Sequence, residues 1–136
     1  MSARPIKSNP FFGRWRIVEM EIWPQDFVDL EGPGHITFEK RQFGSFHFGA
    51  VRANIDSRIA KSPEGVRIEF SFDGDNDVDP TCGRGWAMII GEELRGRLFF
   101  HMGDESSFRA IQDTRSNSSS SGRVASGAGT RRSTRR

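Results

Sequence analysis

The sequence predicts an all-β fold, an antiparallel up-and-down meander barrel of seven to eight strands. Apolar and polar residues alternate with a period of two in successive short segments from Phe11 to Gln112, as in half-buried strands. Short connections rich in Gly, Pro and Asp separate these segments and favour pairing of consecutive strands. Closing the meander removes its edge strands. The 12 Phe and 3 Trp, with no Tyr, supply large apolar groups for one core in a chain of 136 residues.

The first predicted strand spans residues 11–21. Trp15 and Ile17 fall on one face of it, whereas Val18 and Met20 fall on the other. Because a strand cannot bury both faces in a small barrel equally well, we expect a bulge that switches the alternation between the two pairs.

Residues 23–30 break the alternation. Pro24 suits the first position of a helix, and Trp23, Phe27 and Leu30 follow helical spacing. The segment therefore predicts a short helix or 3₁₀ turn that covers one end of the barrel like a lid.

The remaining strands follow at short intervals. After a strand at 35–39 and a turn at 41–44, we expect a long segment through Ile59 that bends at Gly49. Val66 to Phe72 is the most regular alternation, and a long polar loop is expected from Asp73 to Arg84. The last three strands are predicted at 85–90, 94–102 and 106–112. The predicted core comprises Trp15, Ile17, Ile36, Phe38, Phe46, Phe48, Ile68, Phe70, Phe72, Trp86, Met88, Leu98 and Phe100.

Aromatic and histidine side chains would line a cavity, if the barrel encloses one. A barrel of about eight strands is only just wide enough to hold a ligand, so the many Phe favour a packed interior over a cavity. A His that points inward would orient an apolar ligand. The candidate ligand-binding residues are Phe38, Phe46, His47, Phe48, Phe70, Phe72, Trp86, Phe100 and His101.

Charge is distributed unevenly along the chain. Residues 115–136 carry six Arg and no acid, so the net charge of +2 becomes −4 when this segment is left out. Its composition of Ser, Gly and Arg predicts a disordered basic tail at 114–136, after a barrel domain at 11–113 and an N-terminal extension at 1–10. The acidic barrel argues against a phosphate-gripping surface, and only the tail is expected to bind nucleic acid or an anionic surface, weakly.

No motif in the sequence predicts catalysis, a metal or a cofactor. His35, His47 and His101 lack the close spacing of metal ligands, and the single Cys82 cannot form an intramolecular disulfide. The aspartates of 73–79 lack the glycine and the closing glutamate of a calcium loop. We therefore expect a non-enzymatic protein without metal or cofactor. With neither a signal peptide nor a membrane-spanning run in the sequence, we also expect cytoplasmic localisation and no membrane partner.

One pattern resembles a known group of barrels. Gly13-Arg14-Trp15 at the start of the first strand, with Arg109 on the last, resembles the calycin pattern of lipocalins, avidins and fatty-acid-binding proteins. The resemblance implies structural roles for Trp15, as a plug of the barrel bottom, and for Arg109, as a guanidinium stacked on that indole. Residues 23–33 also resemble a segment of short uncharacterised bacterial proteins, which implies no activity.

Two functions stay open at this point. In the first, the protein is a binding module that holds a small apolar ligand inside the barrel. In the second, the aromatic residues fill the barrel, and the acidic outer wall or the lid contacts a protein partner. An enzyme is the third and least favoured alternative, and we expect a monomer.

Overall fold

A computed structural model describes residues 9–113 as a closed barrel of eight antiparallel strands in sequence order, with one four-residue helix. Each strand pairs with the next, and the eighth pairs with the first. The all-β meander barrel is therefore confirmed. The predicted basic tail and residues 1–8 of the predicted extension lie outside the described residues. The elements are β1 (Gly13–Met20), α1 (Gln25–Val28), β2 (His35–Phe38), β3 (Phe43–Phe48), β4 (Val51–Ser62), β5 (Gly65–Asn76), β6 (Asp79–Ile90), β7 (Glu93–Phe100) and β8 (Glu105–Gln112).

The predicted bulge in β1 is confirmed. The register between β1 and β8 shifts between Ile17 and Glu19. As a result Trp15, Ile17 and Met20 are all buried, although Met20 is an odd number of residues from the other two. The extra residue lets one strand keep its large apolar side chains inside while the wall coils.

The predicted short helix is also present, as α1. Trp23 precedes it and Phe27 lies within it, and both pack against the core, whereas Leu30, the third residue of the predicted apolar face, is 62% exposed. The Gly49 N–H donates a hydrogen bond of 2.9 Å to the Val28 carbonyl, which ties the helix to the β3–β4 turn. A Cβ atom on Gly49 would lie 2.6 Å from the Phe27 ring, so the absent side chain allows this close approach.

Two boundaries differ from the sequence prediction. The chain does not bend and continue at Gly49 but reverses there, with Gly49 at φ 58°, so that β3 and β4 form a hairpin. The long polar loop predicted from Asp73 to Arg84 is also wrong, because β5 and β6 pair as far as Asn76 and Asp79. These residues lack an apolar alternation because this part of the hairpin is mostly exposed.

Aromatic rings run through the interior from one end to the other. Phe11 contacts Phe38 at one end, with ring centroids 6.3 Å apart, and Phe38 contacts Phe70 at 5.9 Å. Of the predicted core positions, Phe100 is partly buried. Those that are buried are Trp15, Ile17, Ile36, Phe38, Phe46, Phe48, Ile68, Phe70, Phe72 and Leu98.

The core prediction is wrong for Trp86 and Met88. In β6 the buried positions are Gly85 and Ala87, so the two larger neighbours point outward. The reason is the bulk on β5, because a Cβ atom on Gly85 would lie 2.7 Å from the Phe70 ring. Small residues on β6 thus make room for the large rings opposite them.

Candidate binding groove on the outer wall

Six of the candidate cavity residues lie inside the barrel, where their rings contact one another. The centroid of Phe72 lies 4.9 Å from that of Phe46 and 5.1 Å from that of Phe100. Phe48 lies 5.1 Å from Trp23, which brings the lid into the same stack. The two pairs of Phe72 are edge to face, a favourable geometry for aromatic rings, and the Trp23–Phe48 pair is tilted. The six are Phe38, Phe46, Phe48, Phe70, Phe72 and Phe100.

The structure places the other three candidates outside the interior. His47 lies on the outer wall, with Nε2 3.2 Å from Glu31 Oε1. His101 is exposed in the turn between β7 and β8. Trp86 lies on the outer face of β6. None of these three therefore joins the aromatic rings of the core.

Trp15 and Arg109 lie on opposite faces of the wall. Trp15 is buried and donates a hydrogen bond of 2.9 Å from Nε1 to the Phe11 carbonyl. Arg109 points outward and donates to Glu19 at 2.9 Å and to Glu93 at 2.8 Å. The stacking implied by the calycin resemblance is therefore not formed. Arg109 instead links β8 to β1 and β7 through carboxylates, and these bonds raise its pKa.

The outer wall of β4–β7 carries a groove of about 400 Å³. Two cross-strand rows of the sheet contribute most of its lining. In the first row Ser71 of β5 pairs with Arg84, which in turn pairs with Phe99, and in the second row Glu69 pairs with Trp86. We call this the wall groove, and its lining residues are Asp56, Arg58, Arg67, Glu69, Phe70, Ser71, Arg84, Gly85, Trp86 and Phe99.

Two of the three aromatic residues that line the wall groove, Trp86 and Phe99, have a guanidinium on the ring face. Arg67 Cζ lies 4.4 Å from the centroid of Trp86, and Arg84 Cζ lies 5.1 Å from that of Phe99. Both distances suit a cation–π interaction. Ser71 lies in the same row as Arg84 and Phe99, on the β5 side of Arg84, and its short side chain also lines the groove. The groove therefore combines flat rings with flat cations.

Two of the three arginines that line the wall groove have no ion pair in the described structure. Within residues 9–113, neither Arg58 nor Arg84 forms an ion pair with a carboxylate. Arg67 Nε lies 3.3 Å from Glu69 Oε2. The Nε atom is nevertheless buried and lacks a hydrogen-bond partner in the described structure. The arginines that do pair outside the groove are Arg14, Arg16, Arg52, Arg95, Arg97 and Arg109.

A second group of polar side chains lies on β2 and β3 beside the lid. The His35 and His47 rings meet edge to face at 6.1 Å, and Arg52 donates to the same Glu31 oxygen that His47 contacts. His35 Nδ1 is buried, and the described residues offer it no hydrogen-bond partner. Burial lowers the pKa of His35 to about 4, and the charges of Arg14 and His47 act in the same direction. His35 is therefore neutral at pH 7.

Residues 9–113 contain no group of three or more His, Cys, Asp or Glu side chains placed to hold a metal ion. Within that same range, no helix has both the length and the hydropathy needed to cross a membrane.

The sequence reasoning missed the wall groove. Its polar members lie at alternate positions of β4 and β5, so they read as an ordinary exposed face of each strand. A signal was present in β6, where Arg84 shares its face with Trp86 and so indicates that this face points outward.

Comparison with protein-family models, with curated proteins and with solved structures found no match to this chain.

Proposed function

We propose that this protein is a non-enzymatic binding module that binds its ligand or partner in the wall groove, on the outside of a packed barrel. One observation carries the proposal: Trp86 and Phe99, each with a guanidinium on its face, line a groove of about 400 Å³. Binding sites for small molecules have volumes of roughly 300–1,000 Å³, apolar lining and a few polar groups. Exposed aromatic and Arg side chains are also the residues enriched where proteins bind one another.

The packing of the interior supports a site outside the barrel. Phe46, Phe72 and Phe100 contact one another directly. A Cβ atom on Gly83 would lie 2.7 Å from the Phe72 ring, and one on Gly85 would meet the Phe70 ring at the same distance. An apolar ligand inside this barrel would have to displace side chains that are already in van der Waals contact.

The calycin resemblance enters this proposal as an architecture only. The chain has the eight-stranded meander that the resemblance implied, but it lacks the implied stack, because Trp15 and Arg109 lie on opposite faces of the wall. We further propose a monomer in the cytoplasm, where the lone thiol of Cys82 suits a reducing compartment.

The experiment that tests the proposal is a fragment screen read by two-dimensional NMR of the isotope-labelled protein. The library contains flat aromatic compounds, with and without charge, and fatty acids as probes of the interior. We expect aromatic compounds to shift the Trp86 indole and the backbone amides of β5 and β6, and fatty acids to shift no interior ring. Saturable shifts of Phe46 and Phe72 by a fatty acid would overturn the proposal.

The matched control is a pair of outer-wall variants. Trp86→Ala removes a ring from the wall groove, whereas Phe43→Ala removes an exposed ring from β3, which lies outside it. We expect the first substitution to abolish the shifts on β5 and β6 and the second to leave them unchanged.

A further inference from the structure

We propose that the wall groove selects a small planar anion, that is, a flat ring system that carries a phosphate or a carboxylate. This inference rests on the proposed function, because it names the chemistry of a ligand for the same groove. The observation behind it is that two stacking rings, Trp86 and Phe99, lie beside Arg84, a cation without a carboxylate partner.

The flat part of the ligand is inferred from the two cation–π pairs. Trp86 and Phe99 are partly exposed, and Arg67 and Arg84 lie on their faces at 4.4 and 5.1 Å. A guanidinium that lies flat on a ring presents its other face for stacking, and the ring holds it in place. A planar ligand can therefore continue the stack or replace one guanidinium on its ring. Stacking of this kind tolerates different ring systems, because every flat ring has a π face.

The anionic part of the ligand is inferred from the hydrogen-bond donors that have no acceptor. Arg58 and Arg84 have no carboxylate partner in the described structure, and Arg67 Nε is buried without a hydrogen bond. A buried donor without an acceptor is unfavourable, and an oxyanion bound beside these arginines would supply acceptors. Hydrogen bonds between a guanidinium and an oxyanion are among the strongest in proteins. The groove thus gains more from an anion than from a neutral ring.

Asp56 and Glu69 set the limit on the charge that the groove accepts. Both carboxylates line it beside the three arginines, so the cations exceed the anions by one. Residues 9–113 as a whole hold all 18 acidic residues and 12 of the 20 basic ones, a net charge of −6. A strand of nucleic acid that extended beyond the groove would meet this negative surface, whereas a ligand with a single anionic group would not. We therefore infer a small anion and not a nucleic-acid strand.

The test uses four small probes in two pairs, together with an oligoadenylate of ten nucleotides. Adenosine monophosphate is compared with adenosine, and 1-naphthoate with 1-naphthalenemethanol, by titration of the Trp86 indole N–H signal in NMR at low salt. The first pair tests for a ligand that carries a phosphate, and the second tests for a ligand that carries a carboxylate. We expect at least one of the two anions to bind about tenfold more tightly than its neutral counterpart, and its affinity to fall as salt is raised.

The variants assign the effect to particular side chains. Arg58→Gln removes one cation without a carboxylate partner and should weaken the anion about fivefold while leaving the neutral counterpart unchanged. Arg84→Gln also removes the guanidinium that stacks on Phe99, so it should weaken both members of a pair, and the anion more than the neutral compound. Arg52→Gln is the matched control, since Arg52 lies on the outer face of β4 outside the wall groove and is paired with Glu31. Its effect on affinity should stay within about twofold. Unchanged near-ultraviolet circular dichroism shows that the variants are folded.

Three results would overturn the inference. The first is equal affinity for charged and neutral probes, in which case the groove binds rings and the proposed function stands without the anion. The second is tightest binding by an oligoadenylate of ten nucleotides, which would make the ligand a strand. The third is the absence of any shift of the Trp86 indole with either anion.

Discussion

The guanidinium carbon of Arg67 lies 4.4 Å from the centroid of the Trp86 ring, on the outer wall of the barrel. Trp15, in contrast, is 3% exposed and lies inside. Two Trp residues of this chain therefore differ in what their rings contribute. One fills the core, and the other lines a groove that is open to solvent.

Replacing Trp15 by Ala will destabilise the protein much more than replacing Trp86 by Ala. The first substitution leaves a large cavity in a packed interior and removes the hydrogen bond to the Phe11 carbonyl, at a cost of about 3–5 kcal/mol. The second removes a partly exposed ring and one cation–π contact, at a cost of about 1 kcal/mol. Urea unfolding followed by circular dichroism gives both free energies, and similar values for the two variants would contradict the prediction.

Replacing Gly85 by Ala will destabilise the protein although only one methyl group is added. The new Cβ atom would lie 2.7 Å from Phe70 Cζ and 2.6 Å from the Arg97 carbonyl oxygen, so the wall must shift. Overpacking of this kind costs about 1–3 kcal/mol.

The double variant with Phe70→Leu provides the control for Gly85→Ala. If the ring is the obstacle, the two changes together will cost less than the sum of their separate costs in the free energy of unfolding. Additive costs would assign the clash to the backbone alone.

Acid will destabilise the protein between about pH 6.5 and pH 5 through His35. The pKa of His35 is lowered from 6.5 to about 4, first by burial and then by the charge of Arg14. The unfolded state therefore binds more protons in this range. The contribution of His35 to the free energy of unfolding is constant above pH 6.5 and falls as the pH decreases below it. The ring is partly exposed, so we expect a loss on the order of 1 kcal/mol over this range.

The variant His35→Gln provides the comparison for the pH dependence. Its free energy of unfolding should change little from pH 6.5 to pH 5, when both proteins are measured by urea unfolding. Glu31, whose pKa is lowered by hydrogen bonds from Arg52 and His47, loses its contribution only at lower pH. A parent protein with the same slope as the variant would refute the role of His35.

Replacing Arg109 by Gln will not change the environment of Trp15. Arg109 donates to Glu19 and Glu93 on the outer wall, whereas the Trp15 indole lies inside and donates to Phe11. We expect the Trp15 indole N–H signal in NMR to stay in place and the amide signals around Glu19 and Glu93 to move. A large shift of the Trp15 signal would instead support the stacking seen in calycins.

Most of the fold could be predicted from residue patterns because a small barrel buries one face of each strand. The β1 bulge was predictable, since Trp15 and Met20 are both large and apolar but lie out of phase. The reversal at Gly49 was not, because the break in alternation between Phe48 and Val51, three residues apart, fits a bend at Gly49 as well as a two-residue turn. Sequence alternation alone does not report where a strand reverses.

The candidate site was less predictable than the fold. In β6 both alternating sets contain apolar residues, so size alone suggested that Trp86 and Met88 face inward. The structure buries Gly85 and Ala87 instead, because rings from β5 already occupy that part of the interior. This competition for volume involves residues on different strands, and only the three-dimensional arrangement resolves it. The charge of Arg84, on the same face as Trp86, was the one local clue.

The glycines of β6 also determine how this barrel would respond to losing a ring. Gly83 and Gly85 have no side chains that could collapse into the space left by Phe70 or Phe72. A truncation to Ala at either Phe would thus leave a dry apolar void at a cost of about 3–5 kcal/mol, and such voids accept guests the size of benzene or xenon. Of the two, only Phe72 lies outside the lining of the wall groove, so its truncation would create an internal site and leave that lining unchanged.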